Sequence, residues 1–172
     1  MNFSFKNAST QEDYEKIAAL AQRVWHYTYD PLIGTEQTAY MIKKFQSADA
    51  LESAIRDSGY IYRMAVTEER LAAYCGVCPE PEGAVFLSKV YVDPQFQRQG
   101  LAKALILHFA KDYAAQGFSR MYLTVNKGNE NAIKAYKKLG FHFSGTLVTD
   151  IGGGFVMDDN TMELDLSHLS LD

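Results

Sequence analysis

Cysteine, proline and excess positive charge are what this chain has least of. Its 172 residues include two cysteines and four prolines. So few cysteines exclude a scaffold built on disulfides. Cys75 and Cys78 do stand in C-x-x-C spacing, which would suit a redox helix or half of a zinc site. The segment 71–78 reads as a buried strand, however. There, residues three apart face opposite sides, so the two sulfurs are expected to point apart as reduced core thiols. His26, His108, His142 and His168 are scattered without ligand spacing, and no metal site is expected. The formal net charge of -4 and the pI near 5.6 lack the basic surplus that a general nucleic-acid or anionic-membrane binder needs to displace counterions. No run approaches the roughly 18 apolar residues of a membrane span. Residues 2–9 alternate polar and apolar side chains rather than forming a secretory leader, so a cytoplasmic location is expected.

What is present is an ordinary globular composition, 47% apolar and 22% charged, at a length that suits one domain over residues 1–172. Phe3 and Phe5 alternate with polar neighbours as a short first strand. Thr10 can cap a helix whose apolar positions Ile17, Leu20, Ala21 and Val24 recur at helical spacing, with Pro31 expected to stop it. Further helical stretches are expected at 35–45 and 49–55, closed by Gly59. From residue 60 the pattern turns to period two and to solid apolar runs, predicting strands at 60–67, 71–78 and 84–92, joined through turns at 68–70 and 79–83. A long helix follows Gly100, with Ala102, Leu105, Ile106, Phe109, Ala110 and Tyr113 on one face. Then come a strand at 121–125, a helix carrying Ala132, Ala135, Tyr136 and Leu139, a strand at 141–148, the glycine run 152–154, and a last strand at 156–166. This order predicts an α/β (α+β) fold, with a mixed, mostly antiparallel central sheet of about seven strands flanked by helices.

The segment with most chemical content is Gln97, Arg98, Gln99, Gly100, Leu101 and Ala102, between a strand and a long helix. The first turn of a helix has unpaired N–H groups and a partial positive charge, so a tight turn feeding it can wrap a pyrophosphate. Gly100 and Ala102 are then small because side chains there would meet the phosphates. Gly100 also has a plain reading, as a turn residue before a helix. No Gly-Lys-Ser/Thr follows, and G-x-G-x-x-G spacing is absent, which sets aside Walker and Rossmann loops.

Two motifs together carry a resemblance. Gln97, Gly100 and Ala102 fit Arg/Gln-x-x-Gly-x-Gly/Ala. Asn129, Ala132, Tyr136, Gly140 and Phe141 fit Asn-x-x-Ala-x-x-x-Tyr-x-x-x-Gly-Phe. The chain thereby resembles the GCN5-related N-acetyltransferase (GNAT) superfamily over nearly its whole length. The tail around Phe155, Asp158, Asp159 and Met162 is similar to small bacterial diamine and polyamine acetyltransferases.

The resemblance implies a sheet split between its fourth and fifth strands, with the pantetheine arm of acetyl-coenzyme A bonding to backbone near Val90 and Val92. It places the coenzyme on Gln97, Arg98, Gln99, Gly100, Leu101, Ala102 and Lys103, with Asn129 and Asn131 as further ligands, and involves no metal. It implies direct attack by a primary amine of a small molecule in a ternary complex, and it gives Tyr136 the role of acid toward the departing thiolate. Asn129 also reads as a helix cap, and Tyr136 as a core tyrosine. Trp25, Tyr27 and Tyr29 fall where the family binds its acceptor, and relatives of this size imply a homodimer paired through the C-terminal strands. A non-catalytic acyl-coenzyme A module and a protein N-terminal acetyltransferase are the alternatives. The general base is not where many relatives place it: residues 86–89 hold no acid, and the comparable position on the fifth strand is Thr124. A water chain, Glu36, Asp150 or Asp158 is left for that role.

Overall fold

The computed structural model describes residues 2–68 and 70–169. Among them the order is β1 (Ser4–Asn7), α1 (Gln11–Ile33), α2 (Thr35–Phe45), α3 (Ala48–Ser58), β2 (Ile61–Thr67), β3 (Arg70–Glu80), β4 (Ala84–Val92), α4 (Leu101–Ala115), β5 (Arg120–Asn126), α5 (Glu130–Lys138), β6 (His142–Gly152) and β7 (Phe155–Asp165). The strands form one sheet in the order β1-β2-β3-β4-β5-β7-β6. The expected turn at 68–70 has Glu68 at a φ of 45°; its middle residue, Glu69, lies outside the described residues.

The chain divides into two compact units, Met1–Cys78 with Lys89–Ile106, and Pro79–Ser88 with Leu107–Asp172. In the first, β1 pairs antiparallel with β2, and β2 with β3, across a bulge at Ala65/Val66. Its core takes Ile17, Leu20 and Ala21 from α1, Leu51 from α3, and Met64, Ala73, Tyr74 and Val77 from the strands, all at most 1% exposed. Burying each large side chain of this kind contributes about 1.5–3 kcal/mol. α1 begins on a capping box: Thr10 Oγ1 accepts the Asp13 N–H at 3.1 Å, and Asp13 Oδ2 accepts the N–H groups of Ser9 and Thr10 at 3.0 and 3.2 Å.

Pro31 does not stop α1. The helix continues to Ile33 and ends at Gly34, whose N–H donates to the Asp30 carbonyl at 3.0 Å. Proline's fixed φ is a helical one, so the helix forgoes the single N–H that would have reached the Tyr27 carbonyl, at an exposed position. α3 is longer than the expected 49–55, because Ser47 caps it and Gly59 closes it in the left-handed conformation. Cys75 is buried, Cys78 is half-buried, and both are free thiols, as the alternation along β3 requires.

In the second unit, Ala84–Phe86 of β4 pairs in parallel with Arg120–Tyr122 of β5. A parallel pair needs a crossover, which α4 supplies. β5 pairs antiparallel with β7, and β7 with β6. Met121, Leu123 and Val125 of β5 line up with Leu164, Met162 and Asn160 of β7 on one face; Tyr122, Thr124 and Asn126 line up with Glu163, Thr161 and Asp159 on the other. On the first face Met121, Leu123, Val125, Met162 and Leu164 are apolar and buried, as are Phe109, Ala110 and Tyr113 of α4, while Asn160 is half-buried. No described helix is long and apolar enough to cross a membrane, and no group of three or more metal-ligating side chains occurs among the described residues.

Candidate active site

The turn at 97–100 stands on a buried anchor. Asp93, 2% exposed, ends β4. Its N–H donates to the Ala72 carbonyl at 2.8 Å, and its carboxylate accepts the Gln95 N–H at 2.9 Å and Arg23 Nη2 at 3.0 Å. Arg70 holds the same corner twice, donating to Gln95 Oε1 at 2.6 Å and laying its guanidinium 5.1 Å from the ring centre of the buried Phe96. Pro94–Phe96 is thereby fixed as a single 3-10 turn.

Beyond this anchor the chain is exposed. Gln97, Arg98, Gln99 and Gly100 all face solvent, and Arg98 and Gly100 take φ values of 64° and 76°. For arginine the left-handed region costs on the order of 1 kcal/mol, so this conformation needs the surrounding chain to impose it. Alternation of this kind turns backbone N–H groups to one side, as in anion-binding turns. The Gly100 carbonyl accepts the Ala104 N–H at 2.9 Å, which makes Gly100 the cap of α4. The N–H groups of Leu101, Ala102 and Lys103 are then those a helix leaves without an intrahelical acceptor. A Cβ on Gly100 would meet no protein atom within 4 Å; the protein's own demand for glycine here is the positive φ. Leu101 is buried and pins the helix start, Ala102 is half-buried and Lys103 exposed. Val90 and Val92 are half-buried on the last turns of β4's pleat. N–H groups without intrahelical acceptors, with Arg98 and Lys103 beside them in the chain, are a donor set suited to phosphates.

In the same unit the expected cluster of Trp25, Tyr27 and Tyr29 separates. Trp25 is buried, with its ring centre 5.4 Å from Tyr29 and 5.2 Å from Tyr91 of β4, and the Tyr29 and Tyr91 hydroxyls hydrogen-bond at 2.9 Å. Tyr27, 69% exposed, points away. Helical geometry explains this, since residues four apart share a face and those two apart do not.

In the second unit, Asn129 caps α5: its side chain accepts the Ala132 N–H at 3.3 Å. Asn131, on the first turn, is exposed. Tyr136 is half-buried, its ring edge-on to Phe141 at 5.7 Å. No residue of α5 is fully buried, and Ala135, expected on the apolar face, is exposed. Of the acids considered for the base, Glu36 is exposed on α2, Asp150 is exposed and accepts the Gly152 N–H at 2.8 Å, and Asp158 is exposed and paired with Lys127 at 2.7 Å.

The residue that sequence reasoning passed over is Asp159, adjacent to Asp158 on β7. It is 4% exposed. Burial pushes its carboxyl up, Asp158 adds to this, and Lys127 only partly opposes it, leaving the group at about 6. A strand alternates its faces, so two consecutive aspartates lie on opposite faces; Asp159 shares the face of Thr161 and Glu163, and the pattern did not say that it would be buried there.

Comparison with known proteins agrees with this architecture. The profile of the Acetyltransferase (GNAT) family matches residues 18–141. An uncharacterised N-acetyltransferase of Mycobacterium tuberculosis is 27% identical over 140 residues, covering 81% of this chain and 90% of that protein. The spermine/spermidine N(1)-acetyltransferase of Bacillus subtilis is 36% identical over 94 residues, 49% of this chain and 59% of the relative. Among solved structures, the PaiA N-acetyltransferase of Thermoplasma acidophilum in complex with coenzyme A superposes with a TM-score of 0.77 at 21% identity, covering 96% of this chain and 99% of that one. This last likeness is one of fold. The chain belongs to the GNAT family and is an acetyl-coenzyme A-dependent N-acetyltransferase.

Proposed function

We propose that residues 1–172 act as one N-acetyltransferase domain that acetylates a primary amine of a small molecule by direct attack in a ternary complex. The observation that carries this reading is the anchored turn at 97–100, with left-handed Arg98 and Gly100 opening the 15-residue α4. Acetyl-coenzyme A supplies the activated acetyl thioester. The N–H groups of the turn and of Leu101, Ala102 and Lys103 hold its phosphates, helped by the positive end of the helix and by the charges of Arg98 and Lys103. Gln97 and Gln99 line the turn, and the backbone at Val90 and Val92 receives the pantetheine arm. Asn129 and Asn131 add polar contacts at the start of α5, a role compatible with Asn129 also capping that helix. Tyr136 holds the proton that the departing thiolate takes up.

A polyamine is the favoured acceptor, supported by the Bacillus subtilis relative, whose similarity covers 49% of this chain. The test is release of free coenzyme A thiol with a panel of spermidine, short diamines, amino sugars, amino acid amides and peptides with free amino termini. Turnover with one or more small amines is expected, highest with polyamines. Turnover confined to the peptides would move the acceptor to protein amino termini. Tight coenzyme A binding with no turnover on any amine would leave a non-catalytic binding module.

A further inference from the structure

We propose that Asp159 is the general base of the reaction, taking the proton from the acceptor's amine. This rests on the acetyltransferase reading above, and it fills the place that β4 and β5 leave empty. Residues 86–89 carry no acid, and Thr124 stands on β5.

Asp159 differs from every other acid considered for the role. Glu36, Asp150 and Asp158 are exposed, whereas Asp159 is 4% exposed. Burying a carboxylate is costly, and groups perturbed in this way cluster at functional sites. The position of Asp159 fits that role. The β5–β7 pairing ends at Asn126 opposite Asp159, so the carboxyl group lies at the carboxyl end of β5, and the stretch 155–158 of β7 extends beyond. In open sheets with parallel strands, ligands gather at the carboxyl ends of those strands. β5 is one strand of the parallel pair here, and its carboxyl end leads through 127–129 into α5, which carries Tyr136. The Lys127 N–H reaches the Asp158 carbonyl at 3.4 Å, tying that connection to β7. The charges acting on Asp159 are Asp158 beside it, like in sign, and Lys127, opposite in sign. β5 and β6 present uncharged Asn126 and Leu147 at its register positions.

The proton balance is simple. As the amine nitrogen bonds to the acetyl carbon, its N–H proton passes to the Asp159 carboxylate. The carbon–sulfur bond breaks, the sulfur keeps the electron pair, and the Tyr136 phenol supplies its proton. Asp159 then returns its proton to water, and water reprotonates Tyr136. A carboxyl group near 6 is ionised at neutral pH, as a base must be.

The experiment uses the full chain with acetyl-coenzyme A and the best amine of the panel. Asp159→Asn is expected to lower kcat by about 100-fold with little change in coenzyme A affinity, and to remove the acidic limb of the wild-type pH–rate profile. Asp159→Glu should keep a limb with a displaced midpoint, and Asp158→Asn should move the wild-type limb to lower pH, because a like charge is withdrawn. A readout free of the reaction is unfolding. Asp159→Asn should melt above wild type at pH 7.5 and level with it near pH 4, since the buried charge is then gone from both. Near-normal kcat in Asp159→Asn, an acidic limb that persists in it, or a lower melting point at pH 7.5 each overturns the proposal, the last by showing a structural partner for the carboxylate. A wild type that acetylates no amine overturns the acetyltransferase reading and this inference together. An active wild type with an equally active Asp159→Asn overturns the inference alone.

Discussion

The acid role proposed for Tyr136 rests on one hydroxyl, which can be removed with little change of shape. The ring is half-buried against Phe141, and phenylalanine would keep that contact. If the phenol protonates the departing thiolate, Tyr136→Phe should retain coenzyme A affinity and lower kcat on the order of 10²-fold, the low end for general acid catalysis. Single-turnover kinetics alongside calorimetric binding would separate the two effects. Lost stability with normal chemistry would make Tyr136 a packing residue. Gly100 is the other position where one residue's geometry matters. Its φ of 76° strains any β-branched side chain, so Gly100→Val has two expected effects: distortion of the turn and occupation of phosphate space. Both predict weaker coenzyme A binding in a protein that still folds, because no protein atom lies within 4 Å of the added Cβ. Normal affinity in that variant would remove the turn as the phosphate site.

At the scale of elements, the start of α1 shows how a local motif becomes a pH-dependent support. Burial pushes the Asp13 carboxyl up, but the Lys6 ammonium at 2.8 Å and the N–H groups of Ser9 and Thr10 outweigh it and hold the group at about 2. A depressed carboxyl stabilises the fold above its unfolded value of 3.8 and loses that contribution as pH falls through its folded value. Lys6 is half-exposed, which screens part of the pair. Asp13→Asn should therefore cost about 1–2 kcal/mol at neutral pH. In urea unfolding series, the two proteins should converge as pH drops from about 4 to about 2. A constant gap across that range would mean the loss is of packing and not of charge. Most element boundaries in this chain were legible because such signals are local: Thr10, Asn129 and Gly59 act on their own neighbours. The stop expected at Pro31 was not met, because proline's effect on a helix depends on whether the lost hydrogen bond matters where it falls.

For the molecule as a whole, the binding reaction and the fold are linked. A ligand that binds only the folded chain at roughly 100 times its dissociation constant adds about 2.7 kcal/mol. For a chain of this length coenzyme A should raise the melting point by roughly 5–10 °C, measured by differential scanning fluorimetry. No shift at millimolar coenzyme A would remove the main support for the proposed function. By itself the sequence determined the class of fold, the order of elements and the two motifs, because alternation, helical spacing, caps and turns are written into adjacent residues. It also showed that the usual acid of the fourth and fifth strands is missing. Only the tertiary structure decided which carboxylate takes its place as a candidate. Asp158 and Asp159 are adjacent and identical in kind, and they lie on opposite faces of β7: one carboxyl meets Lys127 in solvent, and the other is buried beside the end of β5. Burial of one side chain depends on strands brought together from distant parts of the chain, and desolvation is a property of that assembled surrounding, which no local pattern encodes.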